Sequence, residues 1–383
     1  MRPVYIGGIG QTVVAEHWQR SWVSLAQQAA EQALAQHAVT PTVGAVYVAN
    51  ALGAALGIQS DMAPVVAATL GLTGVETLSI DAGGAAGGLA IRQAMLAVAA
   101  GAHEAVLVVG VEKVSDVLDE RRESALALTT DTDWEAAHGV TLTAQWAMLM
   151  RRYMHEYAVE AADFASFPVN AHANAVPNKA ALYRFAISAD KLKSAGMIAA
   201  PLGLLDCSTV ADGAAAVIIT AHPDAQVGRQ VRIVASTVAS DVVALHDRPD
   251  LLDLQGVRTG FTRALAQAQL NRDDIDVADI SDPHGIAAVL GLEAMGFAAR
   301  GTGVLLGQTG AITPSGSIPL ALSGGCKARG DVLGALGVYQ VVEMTAQLRG
   351  TAPTQVPGAR VALAQCMSGI GNSVVTHILQ GEE

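Results

Sequence analysis

One local pattern occurs twice in this chain of 383 residues, and it constrains the fold more than any other feature. Each copy consists of a glycine-rich turn, a predicted helix, a glycine stop and a strand, over 83–110 in the first half and 330–366 in the second. Glycine ends helices because it adopts left-handed backbone angles without steric cost. The repeat therefore predicts a chain built from two similar halves.

Short apolar runs alternate with longer alanine-rich segments at helical spacing. Four of these runs are 45–49, 105–109, 215–219 and 361–364. Their hydrophobicity is continuous rather than alternating, which is typical of strands that helices cover on both faces. Hydrophobic residues make up 51% of the chain and aromatic residues only 4%, which suits helices packed closely on buried strands. These features predict an α/β fold.

Residues 118–200 interrupt the repeat with charged and helical stretches. We predict an N-terminal half over 1–117 and 201–224, an inserted loop or lid region over 118–200, and a C-terminal half over 225–383. A polar insertion on an apolar frame is a common place for a loop that covers substrate. The alternative is that this insertion has a purely structural role.

Charge and hydropathy exclude several classes of protein. Lys and Arg total 23 against 35 Asp and Glu, and the net charge of −12 argues against nucleic-acid binding, which needs clustered basic residues. The first residues lead directly into a strand without an apolar signal segment, and the apolar run from Ala94 stops at His103, too early to cross a bilayer. We expect a cytoplasmic protein that does not enter membranes.

The three cysteines, Cys207, Cys326 and Cys366, lie far apart without C-x-x-C spacing. Neither a disulfide framework nor a metal site is expected from them.

Motifs along nearly the whole chain, taken together and in order, resemble those of thiolases, particularly the sterol-carrier-protein type. They are 7–12 (GGIGQT), 110–115 (GVEKVS), 201–208 (PLGLLDCS), 212–216 (DGAAA) and 323–330 (SGGCKARG). The resemblance implies a five-layer αβαβα fold of two similar halves, usually a dimer. It also implies an acyl-CoA thioester substrate, no permanently bound cofactor, and formation or cleavage of a carbon–carbon bond beside the thioester carbonyl.

The resemblance places the acyl-carrying cysteine of the family at Gly84, where this chain has no thiol. Its neighbours are Gly83 and Ala85, so a shift of one residue does not recover a cysteine. We therefore expect no covalent acyl-enzyme. A glycine-lined helix N-terminus still suits a thioester oxygen, although close helix packing would also explain the glycine.

The histidines that the family uses are also replaced. Asp331 stands where the family has the histidine of a Gly-His-Pro motif, and it is a candidate base, a candidate proton donor or a helix cap. Another histidine is lost at Ser281, while His284 appears three residues later as a candidate general acid or base, or as a structural residue. Asp282, between them, is a further candidate base.

Cys366 resembles the second, proton-transferring cysteine of biosynthetic and degradative thiolases, and the alternative is a packing role. Tyr339 is a candidate to present its phenol to the pocket, or a core residue. Neither Cys207 nor Cys326 is expected to replace the nucleophile. The residues expected to contact the thioester are Gly324, Gly325, Ser368 and Gly369.

Three functions stay open at this point. The first is a retro-aldolase acting on a β-hydroxyacyl-CoA, beside a small zinc-ribbon/OB-fold partner, because this reaction needs a base and enolate stabilisation but no acyl-enzyme. The second is a non-catalytic subunit or acyl-CoA scaffold in a heteromeric complex. The third is a conventional acyltransferase of the acetyl-CoA acetyltransferase type. A homodimer is expected.

Overall fold

The computed structural model describes residues 2–36, 43–223 and 228–382. The strands are β1 (Tyr5–Gln11), β2 (Ala45–Ala49), β3 (Glu76–Ile80), β4 (Ala105–Glu112), β5 (Met197–Ala199), β6 (Leu202–Gly203), β7 (Gly213–Thr220), β8 (Val231–Ser240), β9 (Val277–Ile280), β10 (Val361–Ser368) and β11 (Ser373–Gly381). The helices are α1 (Trp22–Gln36), α2 (Met62–Thr69), α3 (Ala86–Ala100), α4 (Asp119–Ala127), α5 (Leu142–Tyr157), α6 (Ser166–Ala175), α7 (Ala189–Ser194), α8 (Gln255–Ala268), α9 (Gly285–Ala294), α10 (Val304–Gln308) and α11 (Leu336–Arg349).

Nine strands form one hydrogen-bonded sheet in the order β3-β2-β4-β7-β1-β8-β11-β10-β9. The pairing of β1 with β8 joins the two halves through Tyr5–Arg232 and Ile6–Val231. On either side of this junction the order is mirrored, so that β7 corresponds to β11, β4 to β10 and β2 to β9. In the N-terminal half, β3 pairs with β2 at the edge of the sheet. At the corresponding edge of the C-terminal half, a single β-bridge joins Ala278 of β9 to Leu320. The duplication predicted from the sequence is confirmed.

Helices α3 and α11 pack between the two halves of the sheet, and both contact strands of each half. Helices α1 and α2 cover the outer face of the N-terminal half, and α8 covers the outer face of the C-terminal half. The central helices approach closely because glycine faces glycine: a Cβ on Gly87 would lie 2.9 Å from both the carbonyl oxygen of Gly334 and the amide nitrogen of Gly337. The predicted α/β architecture is confirmed.

The local predictions hold for the repeated units. The runs 45–49, 105–109, 215–219 and 361–364 all lie within buried strands. Both central helices end at glycines with left-handed backbone angles, Gly101 with φ of 81° and Gly350 with φ of 74°. A 3-10 turn, Gly83–Ala85 or Leu333–Ala335, leads directly into each helix.

Residues 118–200 hold helices α4 to α7 and strand β5. Trp146 and Phe164 of this region share an apolar cluster with Ile286 of α9, so these residues pack against the C-terminal half, whereas Leu126 of α4 packs against Leu52 of the N-terminal half. Its role as a lid stays a prediction, and the predicted boundary between 224 and 225 lies outside the described residues. Within the described ranges, no helix combines the length and apolar character needed to cross a bilayer.

Candidate active site

A cavity of about 50 Å³ lies where the N-terminal turns of α3 and α11 meet. We call it the inner cavity. Its lining is Ala51, Leu52, Gly84, Leu126, Thr129, Leu142, Ser281, Pro283, Cys326, Asp331, Leu333, Leu336, Met367 and Gly369. Three of the residues singled out in the sequence, Gly84, Asp331 and Gly369, therefore come together here, although they lie far apart along the chain.

Gly84 lies in the 3-10 turn between β3 and α3. The turn begins at Gly83, whose φ of 54° favours glycine and whose N–H donates to the Asp81 carboxylate at 3.0 Å. A Cβ on Gly84 would come closer to the carbonyl oxygen of Met367 than the 3.0 Å that real Cβ atoms keep. The end of β10 therefore closes the space that a side chain at residue 84 would need.

Asp331 contributes a carboxyl group to the lining of the inner cavity. Its Oδ1 accepts the Leu333 N–H at 3.1 Å, and its Oδ2 accepts the Ser208 hydroxyl at 3.3 Å. Burial raises the pKa of this carboxyl, and the Leu333 N–H, Arg329 and Ser208 partly offset that rise. The group both caps the turn before α11 and lines the cavity, so a role as a cap is compatible with a role as a base or a proton donor.

Cys326 is the thiol of the inner cavity, and sequence reasoning gave it no role. It lies in a π-helical turn, Gly325–Arg329, that follows two glycines with φ of 109° and 55°. Its side chain is buried, and burial followed by the negative charges of Asp331 and Asp282 raises its pKa well above the ordinary value. The signal that could have found it is the Gly324–Gly325 pair, since such a turn brings Cys326 and Asp331 to one place.

Asp282 lies directly behind Cys326. Its Oδ1 accepts the Cys326 backbone N–H at 2.6 Å. Burial raises the pKa of Asp282 to about 8, and the charge of Asp279 adds to the rise. A carboxyl group with such a pKa holds its proton at neutral pH.

Four buried carboxyl groups surround one buried cation. Arg329 pairs with Glu343 at 2.9 Å, and Asp279, Asp282 and Asp331 also interact with its charge. Burial raises the pKa of all four carboxyl groups, that of Glu343 to about 8. Because one guanidinium cannot neutralise four carboxylates, part of this cluster is protonated at neutral pH.

His284 lies outside the inner cavity. It lines a second cavity of about 10 Å³ together with Asp206, Asp282 and Lys327. Burial lowers the pKa of His284 to about 4, and its Nδ1 is buried without a hydrogen-bond partner. Burial also lowers the pKa of Lys327, to about 8. Asp282 therefore lies between Cys326, which lines the inner cavity, and His284, which lines the second cavity.

Cys366 and Tyr339 lie in packed interior rather than on either cavity. The Cys366 sulfur packs between the central helices, where a Cβ on Gly88 would lie 2.5 Å from it and a Cβ on Gly337 would lie 2.9 Å from it. Burial raises the pKa of this thiol to about 12. The Tyr339 hydroxyl donates to the Thr12 carbonyl at 3.1 Å, and its ring stacks under the Arg329 guanidinium.

Ser368 lines an outer groove of about 430 Å³ that shares Ala51, Leu52 and Thr129 with the inner cavity. This groove gives a route by which an extended ligand reaches the inner cavity. The two other glycines expected to contact a thioester do not line either space: a Cβ on Gly325 would meet the Asp282 carboxyl group, and one on Gly324 would meet the Arg329 backbone nitrogen at 2.6 Å.

Glu112 is a second residue that sequence reasoning missed. Each of its carboxylate oxygens accepts two N–H groups, from Asn50 and Leu52 on one side and from Ala51 and Gly334 on the other, at 3.0–3.2 Å. It thereby ties one wall of the inner cavity to the turn before α11. Among the described residues, no cluster of His, Cys, Asp and Glu side chains has the geometry to hold a metal ion.

Comparison with known proteins identifies the family. The thiolase N-terminal domain matches residues 8–222, and the thiolase C-terminal domain-like family matches residues 237–381. An acetyl-CoA acetyltransferase of Methanothermobacter thermautotrophicus is 36% identical over 99% of both chains. A 17-hydroxy-3-oxo-4-pregnene-20-carboxyl-CoA lyase of Mycobacterium tuberculosis is 28% identical over 96% of this chain and 97% of the relative. The solved structure of the Ltp2-ChsH2(DUF35) aldolase superposes with a TM-score of 0.84 and 26% identity, covering 99% of this chain and 98% of the other. The chain belongs to the thiolase family.

Proposed function

We propose that this protein cleaves or forms a carbon–carbon bond in a β-hydroxyacyl-CoA, by a retro-aldol reaction without a covalent acyl-enzyme. The observation that carries the proposal is the closure of residue 84 by the Met367 carbonyl oxygen, with the Asp331 carboxyl group in the lining of the same cavity. A nucleophile has no space at Gly84, while a base is available. Retro-aldol cleavage needs a base and does not need a nucleophile.

Asp331 acts as the base in this proposal. As a carboxylate it removes the proton from the β-hydroxyl group, and the Cα–Cβ bond breaks to release a ketone or aldehyde. The electron pair of that bond passes to the thioester, which becomes an enolate. The N-terminal ends of α3 and α11 meet at the cavity and carry partial positive charge, which favours the enolate oxygen.

The names of two relatives support this assignment. One is a lyase that acts on a carboxyl-CoA, and the other is an aldolase in which Ltp2 is paired with a DUF35 protein. We propose that this chain works as a cytoplasmic homodimer, either alone or with a small zinc-ribbon/OB-fold partner. Coenzyme A enters only as part of the substrate, and no permanent cofactor takes part.

The test is to incubate the protein with a panel of β-hydroxyacyl-CoAs, with and without a zinc-ribbon/OB-fold partner, and to measure ketone or aldehyde release. We expect release from the wild type and a loss of about 100-fold or more in Asp331→Asn, because a positioned base contributes about 10²–10⁴-fold. Asparagine keeps the Oδ1 that caps Leu333, so the fold should survive. The raised pKa of Asp331 predicts that kcat/KM falls with acidification at a higher pH than an ordinary aspartate would give. No release under any pairing would contradict the proposal and favour a binding scaffold.

An acyltransferase is the second candidate, and one observation favours it: a relative at 36% identity is named acetyl-CoA acetyltransferase. The inner cavity does contain a thiol, Cys326, although burial and two nearby carboxyl groups keep it protonated and hence a poor nucleophile. Thiolysis of acetoacetyl-CoA separates the candidates. Turnover that disappears in Cys326→Ser, together with a thioester on Cys326 detected by mass spectrometry, would establish the acyltransferase.

A further inference from the structure

We infer that Cys326 is the acid that protonates the α-carbon after cleavage, and that Asp282 restores its proton. This inference rests on the proposed retro-aldol function. It assigns a residue to the protonation of the α-carbon, a step in which Asp331 takes no part. Cleavage produces an enolate, and the product forms only when a proton reaches its α-carbon. An acid is therefore needed within the inner cavity, in addition to the base.

Position favours Cys326 for this role. It lines the inner cavity together with Gly84 and Asp331, so it borders the space where the reacting carbon atoms would lie. The other two cysteines do not line that cavity, since Cys207 lies in the loop after Asp206 and Cys366 packs between the central helices. The π-helical turn after Gly324 and Gly325 fixes the orientation of Cys326 by directing its backbone N–H to Asp282.

Electrostatics makes this thiol an acid rather than a nucleophile. Burial and the charge of Asp331 keep the sulfur protonated. A thioester enolate carbon is far more basic than a thiolate, so transfer from such a thiol remains downhill. Once formed, a thiolate between two carboxyl groups is unstable and takes a proton back at once.

Asp282 is placed to supply that proton. Its pKa of about 8 means that it carries a proton at neutral pH, and it touches Cys326 directly. It also lines the second cavity, where His284 leaves a buried Nδ1 without a partner. Asp206 lines both the second cavity and a cleft of about 240 Å³, so protons can reach Asp282 without crossing the substrate.

The full sequence of transfers is balanced. Asp331 takes the β-hydroxyl proton, the Cα–Cβ bond breaks, and its electron pair forms the enolate while the β-carbon leaves as a carbonyl compound. The Cys326 S–H bond then breaks, and its proton forms the new Cα–H bond. The thiolate takes the Asp282 proton, Asp282 is reprotonated from the second cavity, and Asp331 releases its proton to solvent. No oxidant, reductant or water is consumed.

Hydrogen exchange isolates this step from cleavage. Acetyl-CoA in D₂O is the probe, and deuterium uptake at its methyl group, measured by mass spectrometry, reports proton transfer at the α-carbon. We expect the wild type to catalyse exchange and Cys326→Ala to lose it by about 100-fold, the usual contribution of a positioned acid or base. Asp331→Asn should lose cleavage, because Asp331 acts on the β-oxygen.

Cys207→Ala is the matched control, because it also removes one thiol, on a segment bridged to His284, but leaves the inner cavity unchanged; it should keep both activities. Cys326→Ser, which keeps a proton donor, should recover part of the exchange if Cys326→Ala fails for chemical rather than structural reasons. Wild-type exchange in Cys326→Ala, absence of exchange in the wild type, or an acylated Cys326 would each overturn the inference. Exchange that depends on Cys326 without cleavage of any β-hydroxyacyl-CoA would instead contradict the proposed retro-aldol function alone.

Discussion

Gly84 has a structural reason to be glycine, whatever its chemistry. The nearest obstacle to a Cβ there is the backbone carbonyl of Met367, which cannot rotate away as a side chain would. Met367 is in turn held by its own N–H, which donates to Ser281 at 3.0 Å. A side chain at residue 84 must therefore move either the end of β10 or the turn before α3.

This obstacle predicts that Gly84→Ala is destabilising. We expect the free energy of unfolding to fall by about 1–3 kcal/mol, the usual cost of overpacking. Gly196→Ala is the matched control, since no heavy atom lies within 4 Å of its Cβ position and surface changes usually stay within about 0.5 kcal/mol. Urea unfolding of both variants measures the difference in the free energy of unfolding. Equal stabilities would show that the turn at Gly84 shifts without an energetic cost.

The sequence predicted part of the candidate site, and the missing part has a physical cause. Gly84, Asp331 and Gly369 follow recognisable turns, so their position near the helix N-termini could be predicted. Cys366 and Met367 are neighbours on β10 and point to opposite faces of the sheet, and nothing in the local pattern says which face holds a cavity. The position of Cys326 depends on the path of a π-helical turn, and hydrophobic periodicity does not reveal such a turn.

At the scale of elements, Glu112 connects the end of a strand to the turn that precedes a helix through hydrogen bonds. The last residue of β4 accepts four N–H groups from two other segments. Burial raises its pKa from 4.5 to about 7, against the opposing effect of these donors. The folded chain therefore holds this proton up to a higher pH than the unfolded chain does.

That difference predicts a pH-dependent stability. Because the pKa is higher in the folded state, the contribution of Glu112 to the free energy of unfolding falls as pH rises from about 4.5 to about 7, by about 3 kcal/mol at most. Glu112→Gln cannot titrate, so its stability relative to wild type should improve over this interval. Denaturant titrations at several pH values measure the gap, with exposed Glu31→Gln as control. A gap that does not change with pH would contradict the pKa shift.

The strands and central helices were the most predictable elements, because strands buried on both faces leave an uninterrupted apolar signal. The runs 45–49 and 361–364 required no tertiary information to recognise. The packing of 118–200 was less predictable, since its helices are amphipathic and the sequence does not say which surface they cover. The structure shows that Leu126, Thr129 and Leu142 of this region line the inner cavity.

At the scale of the whole molecule, the two halves are joined by the β1–β8 pairing and by the contact of α3 with α11. The helix contact depends on glycine. A Cβ on Gly337 would overlap the Gly88 backbone nitrogen and would lie 2.9 Å from the Cys366 sulfur. These contacts set the distance between the two N-terminal turns that border the inner cavity.

Gly337→Ala should therefore weaken the whole fold. We expect a loss of about 1–3 kcal/mol, because a methyl group must separate two backbones. Gly291→Ala, in α9, is the matched helical control: its Cβ would lie 3.6 Å from Ile280, an ordinary contact, so it should be neutral or stabilise by up to about 1 kcal/mol. The urea midpoints of both variants measure this contrast, and a stable Gly337→Ala would show that the halves can separate without cost.

The close approach of Met367 to the α3 turn also bears on how such a chain can change over time. A carbonyl oxygen belongs to every residue type, so no replacement of Met367 itself removes the obstruction at residue 84. A cysteine at residue 84 would therefore require a shift of the backbone at the end of a central strand, at a cost comparable to that of Gly84→Ala.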